Sequence, residues 1–233
     1  FGDTARVPYG SKSQDTIVRY SRQIIRFLRT KGVKAIVIAC NTASAYALEI
    51  VAKESDIPII GVVNAGARAA VSATRNGKIG VIGTEATVRS GVYTKVMQEM
   101  RPDIEVTGKA CPLFVPLVEE GLWHDSVTDE MASRYLTPLK GRYIDTLVMG
   151  CTHYPLLMSS IVKNLPDGVR VVPQGQYVAN SLKDYLKRHP QMEQMITKTG
   201  SCRYLTTESE DKFKESAQIF LHEQVEVTHV DLE

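Results

Sequence analysis

Several kinds of protein are excluded by what this chain does not contain. No apolar run approaches the ~20 residues that cross a bilayer; the longest, such as residues 35–40 and 57–63, end well before that. No basic segment followed by an apolar one opens the sequence, so neither a membrane partner nor export is expected. Charge of one sign is missing too, since 28 Lys+Arg stand against 26 Asp+Glu, a formal balance of +2. Such a balance supplies no electrostatic footprint for nucleic acid, and none is expected as a partner. Cysteine is scarce: Cys40, Cys111, Cys151 and Cys202 lie far apart with no CxxC pair, which leaves no zinc site of ordinary spacing. Disulfides are not required in a chain of this size, and a reducing cytoplasm is the expected setting. The five histidines, at 124, 153, 189, 222 and 229, form no HExxH and no pair at ligand spacing, so no metal is expected. The glycines of residues 77–83 do not follow GxGxxG and no GxxxxGK[ST] occurs, so no nucleotide cofactor is expected either.

What is present is the make-up of a folded protein. Hydrophobic residues are 43% and charged ones 23% of 233, enough to bury the core of one large domain or two small ones. Residues 15–30 predict a helix with Ile17, Ile24 and Leu28 on one face and Arg19, Arg22, Arg26 and Arg29 on the other, a stripe best read as its wet side. The run 33–39 is nearly continuously apolar, as in strands buried on both faces of a parallel sheet. The alternation continues. Helices are predicted over 43–54, 66–75, 87–100, 127–135, 155–165, 177–188 and 208–221. Strands are predicted over 57–63, 78–82, 104–109, 144–149, 169–172, 203–206 and 225–230. About eight strands alternating with helices argue an α/β fold of two small sheets. Residues 190–200 read as a polar loop, and no linker-like stretch marks a domain boundary. The sequence enters abruptly at FGDTARVPYG and is read as lacking an N-terminal piece.

Two places share a pattern. An apolar strand ends at a cysteine followed by threonine and a helix in AIVIA-Cys40-Asn41-Thr42 and again in TLVMG-Cys151-Thr152-His153. Ligands of open parallel sheets collect at the carboxyl ends of strands, and the N–H groups of a helix start favour thiolate over thiol. Each cysteine is therefore a candidate base; a single one of this kind is more often a small core residue, and it is the matching pair that favours chemistry. Cys111 and Cys202 lack that setting and read as structural. Asn41, Thr42 and Thr152 place short hydrogen-bonding groups beside the thiols, suited to a carboxylate and so to a small dicarboxylic substrate. His153 lies two positions from Cys151 and can carry its proton. Asp3 and Glu119, in loop-like segments, are acidic groups that could polarise the site, and the Tyr9-Gly10 turn after Pro8 offers amides to an anion.

These residues carry a resemblance. FGDTARVPYGSKS (1–13), IACNTASA (38–45), PLFVPLVEEG (112–121) and MGCTHYPLL (149–157) together resemble the glutamate racemases, within the wider aspartate/glutamate racemase superfamily. The likeness runs from the first residue to about 165, and His-Tyr-Pro after Cys151-Thr152 together with PYGSKS resembles the glutamate branch rather than the aspartate one.

The resemblance implies two pseudo-symmetric open-sheet α/β domains with the active site in the cleft between them. The first would be discontinuous, 1–64 and 175–233, and the second would span 65–174. It implies cofactor-independent interconversion of L- and D-glutamate for bacterial peptidoglycan synthesis, in the cytoplasm, by a protein expected to be a homodimer. Cys40 and Cys151 would be the two acid/bases, with Asp3, Glu119 and His153 as auxiliaries. Substrate contacts would fall on Tyr9, Gly10, Asn41, Thr42, Thr152 and His153, with Thr84 and Thr87 added. Two departures stand out. The family normally opens with a strand ending in an Asp-Ser-Gly loop that assists the first cysteine, and this sequence starts after it; a first sheet built without it lacks a central strand. Near the crossover, Val172-Pro173-Gln174-Gly175-Gln176 stands where the family more often has an acidic residue, with an effect expected on the domain hinge and not on the chemistry. Two other readings remain open at this level: a racemase of another acidic amino acid, and a silent binding protein that keeps the fold and uses its surface.

Overall fold

The computed structural model describes residues 1–232. The first helix, α1 (Gln14–Thr30), starts where the Ser13 hydroxyl accepts the Thr16 amide at 3.3 Å. It buries Ile17, Val18, Ser21 and Ile25 and leaves its arginines outside. The arginine stripe is partly neutralised there: Arg22 reaches Glu54 at 2.8 Å and Arg29 reaches Asp56 at 2.7 Å. Strand β1 (Ile36–Ile38) follows, then α2 (Asn41–Tyr46), α3 (Leu48–Lys53), β2 (Ile59–Gly61) and α4 (Val63–Ala73). The single helix predicted over 43–54 thus starts two residues earlier and bends at Ala47, where i to i+4 bonding persists through Ala47 N to Ala43 O at 2.8 Å.

The central sheet is built next, by β3 (Lys78–Gly83), α5 (Glu85–Arg89), α6 (Val92–Met100), β4 (Glu105–Ala110), α7 (Phe114–Glu119), α8 (Ser126–Lys140) and β5 (Thr146–Gly150). After a 3-10 turn at Tyr154–Leu157 come α9 (Met158–Lys163) and β6 (Arg170–Val172). The helix predicted over 87–100 is divided by Gly91, whose φ of 65° is left-handed and stops the first piece. Helix α7 had no counterpart among the predicted elements. Its Pro116 reads as a breaker, but it sits in the first turn, where no N–H is needed. The chain closes with α10 (Gly175–Arg188), α11 (Pro190–Gln194), β7 (Tyr204–Thr206), α12 (Glu210–Leu221) and β8 (Val227–His229). Helix α11 falls in the stretch read as loop, and a proline again opens it.

All strand pairs are parallel, and the four-stranded sheet runs β4-β3-β5-β6. The other strands form two separate pairs, β1-β2 and β7-β8, rather than one second sheet. Strands β3 and β5 are buried almost throughout, which is why their sequences are apolar without alternation. Phe114, Leu136, Met149 and Tyr154 cluster on one side of this sheet, and Val63, Ala67, Tyr93 and Met97 on the other. A third cluster joins Ile17, Ile36, Ala43 and Val51. The turn after α7 meets α12, where Trp123 stacks on Phe220 with ring centroids 5.5 Å apart.

Asp145 fastens the entry to the central sheet. Its carboxylate accepts from Thr74 Oγ1 at 2.6 Å and from the amides of Arg75 and Asn76 at 2.7 and 2.8 Å, tying the turn before β3 to the start of β5. Burial pushes its pKa up, but the bonds from Thr74, Asn76, Arg75 and Thr146 outweigh that and hold it below the usual carboxylate value. A depressed carboxylate stabilises the fold above its unfolded pKa and loses that contribution as pH falls through its folded one. Asp145→Ala is expected to cost about 1–3 kcal/mol. In chemical denaturation the gap between wild type and variant should be full near neutral pH and shrink in acid.

Candidate active site

The order β4-β3-β5-β6 places a topological switch between β3 and β5, the position at which open α/β sheets bind ligands. Thr84 follows β3 and Cys151 follows β5, on neighbouring strands whose last residues, Gly83 and Gly150, are in register. Facing them is the end of β1, where Cys40 caps α2 and its Sγ accepts the Ala43 amide at 3.5 Å. A cavity of about 540 Å³ lies between these strand ends. Cys40, Asn41, Thr42, Tyr9, Gly10 and Asp3 line it together with Thr84, Cys151, Thr152 and His153, and it continues along β1 past Val37 and Leu28.

Three hydroxyls close the seam between the two sets of residues. Thr42 Oγ1 lies 2.8 Å from Thr84 Oγ1 and 3.2 Å from Thr87 Oγ1, and Thr84 donates to Thr87 at 3.0 Å. Thr87 belongs to this seam and does not line the cavity. The Tyr9-Gly10 turn joins it, because Gly10 O accepts the Ala86 amide at 3.2 Å. A Cβ on Gly10 would come within 2.7 Å of Thr84 Cβ and Cγ2, so the approach requires glycine.

Behind Cys151 stands His153, whose Nδ1 is 3.8 Å from the sulfur and whose Nε2 is 2.6 Å from Glu119 Oε1. Glu119 is thus outside the cavity, and it ends helix α7 rather than lying in a loop. Asp3 lines the cavity on the same side as Tyr9 and Cys40. Its oxygens accept from Arg6 Nε at 2.8 and 2.9 Å, from Thr207 Oγ1 at 3.2 Å and from the Tyr9 hydroxyl, so it pins the Tyr9 turn. Burial and Asp3 together raise the Tyr9 pKa and keep it a phenol.

Two residues of the site had no signal in the pattern around the cysteines. Tyr93, on α6, donates to Asn41 Oδ1 at 2.6 Å, and Gln174 Nε2 donates to the Tyr93 hydroxyl. Tyr93 reads as an ordinary apolar-face residue of its helix, and Gln174 was notable only as a departure at the crossover. Of the remaining cysteines, Cys111 is buried and Cys202 is exposed, so only Cys111 has the surroundings of a structural core residue; all four are free.

The helix-start amides act on the thiols in the expected direction but do not prevail. Burial pushes Cys40 above the ordinary thiol value, against the opposing pull of the Ala43 and Thr42 amides and the Thr42 hydroxyl. Burial pushes Cys151 up to about 12; the amides of His153, Thr152 and Tyr154 oppose this and the nearby Cys40 charge adds to it. Both groups therefore rest as neutral thiols, not as the thiolates that the helix starts alone would favour. Since ionising Cys151 is harder in the folded protein than in the unfolded chain, its contribution to stability is present below the reference value of 9.0 and is lost as pH rises toward about 12. Ultraviolet thiolate titration of a Cys40→Ala, Cys111→Ala, Cys202→Ala variant should show no ionisation of Cys151 at neutral pH. A full thiolate signal there would contradict the burial argument.

Residues 1–182 match the family profile described as Asp/Glu/Hydantoin racemase. The glutamate racemase of Aquifex aeolicus (strain VF5) is 44% identical to this chain, covering 97% of it and 84% of the relative. A glutamate racemase isoform from Bacillus anthracis superposes with a TM-score of 0.93 at 36% identity, covering 99% of this chain and 86% of that one. The glutamate racemase of Francisella tularensis subsp. tularensis SCHU S4, solved in complex with D-glutamate, gives a TM-score of 0.91 at 34% identity, with 100% of this chain and 87% of that one covered. Likeness of this breadth places the chain in the Asp/Glu/hydantoin racemase family, in its glutamate racemase branch, and makes it an isomerase of the amino-acid racemase kind.

Proposed function

We propose that this chain interconverts L- and D-glutamate, with Cys40 and Cys151 as acid/bases on opposite faces of the substrate. The observation that carries the reading is that two thiols, each at a strand end and each beside helix-start or turn amides, border one cavity from two sides. One thiolate removes the α-proton and the other thiol delivers a proton to the opposite face, so configuration inverts and the two sulfurs exchange protonation states. The reading takes residues 1–64 with 175–233 as one domain and 65–174 as the other. It includes a homodimer, a bacterial cytoplasmic setting and supply of D-glutamate to peptidoglycan.

The α-proton of an amino acid is a very weak acid, and positioned general acid/base groups contribute only ~10²–10⁴-fold. Orientation and electrostatic stabilisation of the developing carbanion must supply the rest. The Thr42 and Thr152 hydroxyls and the Tyr9-Gly10 turn are suited to hold the carboxylates, and exclusion of water strengthens each bond. His153 serves Cys151. With Glu119 accepting from Nε2–H, the Nδ1 lone pair faces the thiol and can take its proton when substrate arrives. On the other side, the Thr42 and Ala43 amides and the Thr42 hydroxyl favour the Cys40 thiolate. Asp3 acts at one remove, through Tyr9.

Proton NMR of the α-position in D₂O, started separately from L- and D-glutamate, tests the reading directly. Exchange with inversion in both directions is expected from the unaltered chain. Cys40→Ala and Cys151→Ala should each lose at least ~10²-fold in racemisation. Full activity in either variant would sink the two-thiol assignment, and exchange of aspartate but not glutamate would move the substrate. A separate expectation concerns Glu119→Gln. It should lower kcat about tenfold with a smaller change in KM, since it alters proton transfer at Cys151 without touching the cavity wall.

A further inference from the structure

Asn41 presents an imbalance that the reaction described so far does not use. It lines the cavity beside Cys40, its side chain is buried, and its Oδ1 is taken by Tyr93. Its Nδ2, also buried, has no partner among the described residues. A buried amide donor without an acceptor costs free energy unless a ligand supplies one. The neighbouring residues decide which end of that amide is left over. Tyr93 has one hydroxyl proton to give. Gln174 donates its Nε2–H to the Tyr93 oxygen, which leaves that proton for Asn41 Oδ1. The chain of bonds therefore runs in one direction, from the crossover through α6 to α2.

We propose that Gln174 and Tyr93 are positioning residues that fix the polarity of Asn41, so that its Nδ2 donor, and not its carbonyl, is offered to a carboxylate of the bound amino acid. The inference rests on the racemase reading for the ligand's identity. Placement supports it: Tyr93 and Gln174 are themselves buried, and the Tyr93 ring passes 3.4 Å from where a Cβ on Gly150 would stand, next to Cys151. One tyrosine thus touches the approaches to both thiols. Burial also holds its phenol protonated, so its proton stays available for Asn41.

A carboxylate at position 174 would reverse the order. It has no proton to donate and would claim that of Tyr93, whose oxygen would then accept from Asn41 Nδ2 and turn the Asn41 carbonyl toward the substrate. An apolar side chain of similar length would instead leave the Tyr93 proton with Asn41. Calorimetric binding of D-glutamate, which requires no turnover, distinguishes these cases. Gln174→Glu should weaken binding about tenfold or more, and Gln174→Met only about threefold. The loss in Gln174→Glu should deepen relative to the unaltered chain as pH rises and the new carboxyl, facing the Tyr93 phenol, ionises. Tyr93→Phe should fall between them, since Asn41 is then free to turn either way. Equal losses in the Glu and Met variants, with melting curves confirming that both fold, would overturn the proposal, as would failure of the unaltered chain to bind D-glutamate. Binding with the expected ranking but without α-proton exchange would uphold the relay and sink the racemase reading instead.

Discussion

On the proposed reading, two acid/base groups that work on opposite faces of one carbon must be held at a fixed separation, and no continuous element joins them here. Cys40 follows β1 and Cys151 follows β5, so their spacing depends on contacts across the seam. That seam is made of short groups: the hydroxyls of Thr42, Thr84 and Thr87, the Gly10 carbonyl and the Asn41 amide. Short side chains carry little rotamer freedom and hold distances better than long charged ones. They also leave the cavity wall rich in hydrogen-bonding groups, while the two acid–base pairs that reach it, Arg6–Asp3 and His153–Glu119, have their charged ends matched by their own partners.

Burial sets the second constraint. The site raises both thiols and so opposes the ionised form that proton abstraction needs, while the surrounding amides favour it. A site of this kind holds its base in reserve. The same exclusion of water that keeps the thiol neutral strengthens each dipole aimed at the charge that forms later. In the proposed mechanism, the His153–Glu119 pair and the Thr42 hydroxyl are the points at which that balance is tipped on each side.

Much of this was legible in the sequence, and the parts that were not share a cause. Runs such as Lys78–Gly83 and Thr146–Gly150 are apolar at nearly every position because both faces are covered, and this gave the parallel sheet away. The two cysteines stood out because strand end, thiol, threonine and helix start recur in order. Helix α7 was hidden by a proline tolerated in its first turn, and the division of α5 from α6 by a glycine whose φ no pattern reveals. Strand partners were hidden as well: nothing local separates β1-β2 from β7-β8. Tyr93 and Gln174 escaped because their contribution is a direction of hydrogen bonding, set by partners 52 and 81 positions away in sequence.

The contact between Trp123 and Phe220 has an optical consequence. Trp123 is the chain's single tryptophan, and its indole N–H donates to Val118 O at 2.8 Å while its ring lies on Phe220 of α12. Val118 is the residue before Glu119, the carboxylate that holds His153. All indole emission therefore originates at one place, between the C-terminal helix and the rear support of the second thiol. The protein carries its own unlabelled fluorophore at the contact between those two elements, and a shift in its emission when an amino acid is bound reports a change in the surroundings of that one ring.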